Sequence, residues 1–170
     1  MAELLMGCGS NSIKKLRLND EPEEWNGLVR ADINPDHNPD IVVDFSKHPL
    51  PFNTDCFDSI HAYDVLEHLA YQGDFQFFFR EWSEYWRILK NGGKFYGIVP
   101  RVGTAWAWGD PSHKRVLQPE TFVFLQQEEY ERQVGKTSIS DFRNIYKANF
   151  KPIHLQYTGN SFCFILEAIK

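Results

Sequence analysis

Five short apolar runs lie in the first hundred residues, each closed by turn residues. ELLM (3–6) stops at Gly7-Cys8-Gly9, and GLVRADI (27–33) and DIVVDF (40–45) each close on an acid. FDSIHAY (57–63) and GKFYGIVP (93–100) complete the set. All five are rich in Val, Ile, Leu and aromatic residues, the composition of buried strands. Between the fourth and fifth runs the period changes. Phe75, Phe78, Phe79, Trp82, Tyr85, Trp86 and Leu89 fall at helical spacing and form one wide apolar stripe from Asp74 onward. KNGG (90–93) follows and predicts the stop of that helix, because its residues tolerate positive φ. Strands alternating with helical segments predict an α/β fold built on a parallel sheet.

The last third reads differently. PETFVFLQQEEYERQ, starting at Pro119, predicts a helix with Pro in its first turn. SISDFRNIYKANF (138–150) predicts another, with Ser138 and Asp141 at capping-box spacing. KPIHLQY and SFCFILEAI flank TGN, a connection too short for a crossover helix, so these two strands must be antiparallel. The predicted sheet is therefore mostly parallel and ends in a C-terminal antiparallel β-hairpin.

Length and charge narrow the classes. At 170 residues the chain is read as one domain, 1–170, large enough to bury a core. A net charge of -5 gives no general attraction for nucleic acid or anionic membrane. No apolar run approaches a membrane span, and no signal peptide is recognisable. Cys8, Cys56 and Cys163 are odd in number and widely spaced, which suits neither a disulfide framework nor a zinc pattern. A reducing, cytoplasmic setting is the default expectation.

In open α/β sheets ligands bind outside the carboxyl ends of the strands. Three features meet there: Gly7-Cys8-Gly9 after the first strand, Asp32 after the second and Asp44 after the third. A lone Gly-x-Gly is often only a turn, and Asp is common after strands for turn reasons. Together they suit a nucleoside: a carboxylate about 20 residues past the loop is where a ribose diol is gripped, and Asp44 can accept from an adenine amino group. A dinucleotide needs a third glycine where this chain has Ser12. An adenosine cofactor without phosphates needs only the tight turn and the acids, which favours S-adenosylmethionine over NAD.

LLMGCGSN, VRADINPD, DIVVDFSKHPLPF, CFDSIHAYDVLEHL and EWSEYWRILKNGGKFYGIVP, in that order from residue 4 to about 100, resemble the class I S-adenosylmethionine-dependent methyltransferases, in their type-11 branch. The resemblance implies a Rossmann-like sheet whose seventh strand inserts antiparallel between the fifth and sixth. It implies that Gly7, Cys8 and Gly9 lie under the methionine and ribose parts of the cofactor. Asp32 would hold the ribose hydroxyls, Ile33 would lie against the adenine, and Asp44 with the Phe45 backbone would meet the adenine edge. Ala62 and Tyr63 would border the methionine part and the methyl donor. The chain departs from the pattern at Leu5, where the family commonly has an acid, and at Asn91, where it has proline. It also begins almost at the first strand, without the usual N-terminal helices. A more open cofactor site is therefore expected, or a lid from the C-terminal third, a partner subunit or a second copy in a homodimer.

RVGTAWAWGDPSHKR (101–115) follows the fifth strand and is expected over the active-site edge. Trp106 and Trp108 suit stacking on a flat or sugar-like acceptor, and His113 suits both acceptor binding and proton abstraction. Tyr63 and Asp110 are the other candidate catalytic groups. The competing reading is that the tryptophans pack the loop down and His113 is a surface residue. Asp64 and His68, four apart on an expected helix with His61 before them, have a metal-compatible spacing, but a structural role is favoured and no metal is expected. The HKR run (113–115) is too short to indicate nucleic-acid recognition, and HAYD stands where amino-methylating DNA enzymes carry an N-P-P-Y-type motif. The reading is methyl transfer from S-adenosylmethionine to a small-molecule or sugar-containing acceptor, leaving S-adenosylhomocysteine. The alternatives are a non-catalytic partner subunit of the same fold and an NAD-dependent oxidoreductase.

Overall fold

The computed structural model describes residues 1–170. β1 (Glu3–Met6) lies inside the sheet, parallel to β2 (Leu28–Asp32) on one side and β4 (Phe57–Tyr63) on the other, so Leu4 has Val29 and Ile60 as neighbours. β3 (Ile41–Val42) is the outer edge beyond β2, and β5 (Leu89–Pro100) runs parallel to β4. The last two strands, β6 (Phe150–Thr158) and β7 (Ser161–Ala168), are antiparallel and joined by Gly159-Asn160. β7 inserts antiparallel between β5 and β6, giving the order β3-β2-β1-β4-β5-β7-β6. The hairpin and the inserted strand both match the expectation.

Side chains alternate across this sheet with the period of two that pleating imposes. Leu4, Met6, Ile60, Ala62, Phe95 and Phe164 face the main core. That face is covered by α1 (Phe75–Ile88), which starts where the Asp74 side chain accepts from the Phe77 N–H at 3.0 Å. Trp82 and Tyr85 on its apolar stripe are completely buried, each with its ring 5.0 Å from Phe95. The opposite face carries Leu5, His61, Tyr63, Tyr96 and Ile165. It is covered by irregular chain, with Leu16, Leu18 and Trp25 packed against it. Among the first five strands, the expected alternation of strand and α-helix is thus met by α1 alone. In 10–27, Trp25 Nε1 donates to the Ser12 carbonyl, Lys14 pairs with Glu3 at 3.0 Å, and Pro22 has no N–H for a helix.

Three local expectations are corrected. The helix from Pro119 is split into a 3-10 stretch, Pro119–Leu125, and α3 (Gln127–Gln133). Phe122 and Leu125, three apart, are both fully buried, and the Gln127 N–H donates to Asn149 Oδ1 at 3.0 Å instead of to a helical carbonyl. Residues 138–150 form no helix before β6. Asp141 accepts from the N–H of Arg143 at 3.1 Å and from its guanidinium, and a single turn places the Phe142 and Tyr146 rings 4.8 and 5.0 Å from Phe79. Tertiary packing overrides local propensity there. KNGG lies inside β5 as an irregularity: Leu89 pairs with Phe57, the register shifts, and Lys94 pairs with Ser59. α1 therefore ends at Ile88, ahead of the glycines. No helix is long and apolar enough to cross a membrane, and Cys8, Cys56 and Cys163 are unpaired.

Candidate active site

β1 ends in a tight loop in which Gly7 and Gly9 adopt φ +58° and +53°, a region glycine enters without steric cost. The two have different reasons to be glycine. A Cβ on Gly7 would stand 2.1 Å from Val65 Cγ2, so the chain leaving β4 packs directly on the loop. A Cβ on Gly9 would meet nothing within 4 Å, which leaves open space over that residue. Cys8 is buried beneath, in the cluster with Leu5 and Tyr63, while its N–H donates to the Ala31 carbonyl at 3.2 Å. Leu5, where an acid was the usual anchor, is a packing residue of that same cluster. No helix follows Gly9, so the helix N-terminus that would meet a dinucleotide pyrophosphate is missing.

Asp32 ends β2 directly beside this loop. Its Oδ2 accepts from the Gly9 N–H at 2.8 Å and its Oδ1 from the Asn34 N–H at 2.8 Å, with His37 Nδ1 3.3 Å away. Burial by itself raises the pKa of this carboxyl. The two N–H donors and His37 outweigh burial, and the net direction is down, so Asp32 is held ionised. A carboxylate has about four acceptor directions; the backbone takes two, and His37 is an additional neighbour that the sequence did not point to. Ile33 projects from the rim at 62% exposure. Asp44 is turned onto its own loop, accepting from the Ser46 N–H and hydroxyl at 3.0 and 2.6 Å with Lys47 at 3.3 Å; the Ser46 hydroxyl is foremost in holding its pKa low. Phe45 and Ala62 are core side chains, leaving their backbones for any ligand. Tyr63 is corrected as a catalytic group. It is buried, and its hydroxyl is occupied by His61 Nδ1 at 2.7 Å and the Leu16 backbone.

The loop after β5 lies over the neighbouring strand ends. α2 (Ala105–Gly109) buries Ala107 and leaves Trp106 and Trp108 61% and 56% exposed, so the tryptophans do not pack the loop down. The following segment is tied to the short 3-10 helix Leu66–His68: the Lys114 N–H donates to the Glu67 carbonyl at 2.8 Å and Arg115 Nε to the Leu66 carbonyl at 2.7 Å. Arg115 also makes two 2.8 Å bonds to the buried Glu81 carboxylate on α1. His113 is thereby held inside the loop. Its Nε2 lies 3.9 Å from Glu67 Oε1 and 3.8 Å from Asp110 Oδ2, and its ring meets His68 edge to face at 4.8 Å. Asp110 accepts from the Ser112 N–H and hydroxyl at 2.8 and 2.5 Å, and these bonds lower its pKa.

The grouping of His61, Asp64 and His68 is not formed. His61 points to the opposite face, stacked on Tyr96 at 4.4 Å, and Asp64 precedes the 3-10 helix with φ +56° and its carboxylate 3.6 Å from Lys15. Glu67 takes their place. It is only 2% exposed, and burial pushes its carboxyl up to about 7, with the Asp64 charge acting in the same direction. The sequence contained it within LEHL, but only the folded loop brings His113 against it. A separate cavity of about 170 Å³ opens at the start of α1, between Tyr71, Phe75, Phe124 and Phe142, and shares no residue with the glycine loop.

Residues 6–97, over half of the chain, match the family model of the methyltransferase domain, type 11. No curated protein matches the sequence. Among solved structures, the chain is similar to a putative methyltransferase in complex with the Trm112 methyltransferase activator of Haloferax volcanii (15% identity, TM-score 0.55, covering 99% of this chain and 83% of that one). It is similar to a SAM-dependent methyltransferase from Archaeoglobus fulgidus (14%, TM-score 0.56, 98% and 86%). It is also similar to the methyltransferase CalH in complex with SAH (11%, TM-score 0.60, 99% and 51%). At these identities the likeness is one of fold. The family match, by contrast, runs through every strand end that frames Asp32, and by it the chain belongs to the methyltransferase domain family, as an enzyme whose cofactor is S-adenosylmethionine.

Proposed function

We propose that the chain, acting as one unit over 1–170 in a cytoplasmic setting, methylates a small-molecule or sugar-containing acceptor. The observation that carries this reading is the ionised Asp32 carboxylate beside the open space over Gly9. A ribose diol donates to such a carboxylate, and charged hydrogen bonds contribute about 1.5–3 kcal/mol each. His37 turns aside or shares Oδ1 when the ribose enters. Ile33 supports the adenine, Asp44 and the Phe45 backbone meet its edge, and the Gly7–Gly9, Ala62 and Tyr63 backbones border the methionine part.

S-adenosylmethionine supplies a methyl group already activated on a sulfonium. The protein has to align the acceptor and exclude water. Trp106 and Trp108 provide two exposed aromatic faces for the acceptor, and the His113–Asp110 pair receives the proton that a hydroxyl or amine loses. The negative net charge supports a small acceptor over nucleic acid.

A second reading has its own support. Leu5 offers no anchor for the cofactor's amino group, and Ile33, just after β2, and Val42, on the edge strand β3, are exposed apolar residues. A partner subunit or a second copy covering that edge would complete the site, and a chain that binds no cofactor would be a non-catalytic subunit. Calorimetric titration with S-adenosylmethionine and S-adenosylhomocysteine, repeated on Asp32→Ala, separates these readings. Micromolar binding that the substitution weakens about a hundredfold supports the enzyme reading. No binding to the folded chain overturns it in favour of the partner-dependent one.

A further inference from the structure

We infer that Glu67, His68 and His113 form a divalent-cation site of the zinc class. One ligand atom from each lies within 4.8 Å of the others. Two imidazoles and one carboxylate are a donor set that zinc takes in sites with an open fourth position. Ligands about 2.0–2.2 Å from a common ion lie somewhat over 3 Å apart. The 3.9 Å between His113 Nε2 and Glu67 Oε1 is close to that before any adjustment.

Glu67 is the independent observation that something is to be bound. Both of its carboxylate oxygens are buried and accept no hydrogen bond. Buried carboxylates are normally paired, hydrogen-bonded or coordinated to metal. The ion pair nearby is no substitute, because Arg115 spends its guanidinium on Glu81 and on the Leu66 carbonyl.

The histidines are oriented as metal ligands are. His113 Nδ1 lies 3.3 Å from the Ala107 carbonyl, which accepts its N–H and leaves Nε2 with a lone pair facing Glu67. His68 Nδ1 lies 3.1 Å from Ser112 Oγ, which itself donates to Asp110. A ligating imidazole whose other nitrogen donates to a carbonyl, or to a hydroxyl backed by a carboxylate, has a set tautomer and a more basic ligand atom. The three ligands come from the segments leaving β4 and β5, adjacent strands, at the sheet end where ligands bind. A cation there would present a Lewis acid to an acceptor oxygen and leave Asp110 as the proton acceptor of its pair. That role rests on the methyltransferase reading; the site does not.

The test is titration of the chelator-treated full chain with ZnCl2 by calorimetry and with CoCl2 by visible absorption, on wild type, Glu67→Gln and His68→Asn. Thermal melts would confirm that each variant is folded. One equivalent bound, a tetrahedral cobalt spectrum, a raised melting temperature and at least a tenfold weaker affinity in both variants support the site. No stoichiometric uptake by folded wild type overturns it, as does uptake that both variants leave unchanged, since that metal would sit elsewhere. S-adenosylhomocysteine binding is measured on the same samples. Cofactor binding without metal uptake removes only this inference, and metal uptake without cofactor binding removes only the proposed function.

Discussion

The Gly9 N–H donates to Asp32 Oδ2 at 2.8 Å across 23 residues of sequence. This bond closes the end of β1 against the end of β2 and holds the loop in the shape that leaves space above it. The carboxylate therefore organises the protein's own backbone, and in the proposed function it also offers acceptors to a ribose.

Asp32→Ala removes both functions, and Asp32→Asn keeps the shape while losing the charge. With two charged hydrogen bonds at stake, about 1.5–3 kcal/mol each, Asp32→Ala is expected to raise the cofactor Kd by about a hundredfold or more. Asp32→Asn is expected to fall between it and wild type. Calorimetric Kd values for S-adenosylhomocysteine on the three proteins check the order; equal affinities would remove Asp32 from the site.

Alanine at the two glycines separates packing from ligand space. Gly7→Ala drives a methyl into Val65 and strains a positive φ, so a stability loss of about 2 kcal/mol or more is expected. Gly9→Ala meets no protein atom and is expected to cost about 1 kcal/mol from φ alone, while weakening cofactor binding because its methyl fills the open space. Urea unfolding and ligand titration on both variants test this; an equally large stability loss for Gly9→Ala would contradict it.

Arg115 and Glu81 are both buried and pair through two 2.8 Å bonds. Arg115→Ala leaves the Glu81 carboxylate buried with Tyr85 as its remaining donor, at 2.9 Å. Removing one partner of such a pair costs about 3–5 kcal/mol. The expected result is a melting temperature lower by about 10 °C, with the Arg115→Met, Glu81→Leu double variant closer to wild type. A double variant worse than Arg115→Ala would refute the argument.

His61 sets a pH dependence of stability. Burial pushes its pKa down to about 3 from 6.5, with the Lys14 charge acting in the same direction. Tyr63, Tyr96 and Ser59 surround it, with Glu3 and Glu21 among the acids lining the same hollow. The folded-state pKa is depressed, so the unfolded chain takes up a proton that the folded protein refuses. Stability is full above pH about 6.5 and falls from there toward pH about 3, with a slope of up to about 1.4 kcal/mol per pH unit from this group. His61→Gln is expected to flatten that slope. Urea unfolding at pH 7, 6 and 5 measures it, and identical slopes in the two proteins would exclude His61.

Trp106 and Trp108 are exposed, so alanine at either is expected to change stability by less than about 0.5 kcal/mol. Methyl transfer to any acceptor found by screening for S-adenosylhomocysteine release is expected to fall at least tenfold. Unfolding curves and release rates on the same preparations check both; unaffected turnover would detach the tryptophans from the acceptor.

Short-range patterns sufficed for the order of the strands, α1, the C-terminal hairpin and Asp32 at the end of β2, whereas the strand expected over 40–45 is only Ile41–Val42 and leaves Asp44 in the loop beyond it. Each depends on a period of two, a period near 3.6 or a turn too short for any alternative, and these constraints act between residues close in sequence. The glycine loop with Asp32 was legible for the same reason: its motifs report the ends of adjacent parallel strands. The coil over Leu5 and Tyr96, the broken helix after Pro119 and the single turn at Phe142 were not legible, because each gives up local helix geometry for contacts with distant rings and side chains. The meeting of Glu67 and His68 with His113 was likewise decided in three dimensions. It depends on Arg115 reaching Glu81 and the Leu66 carbonyl, an arrangement of buried charge whose partners lie 34 and 49 residues away. Local periodicity thus determined the sheet and the meeting of the glycine loop with Asp32, and only long-range packing and burial of charge decided which polar groups face one another beside it.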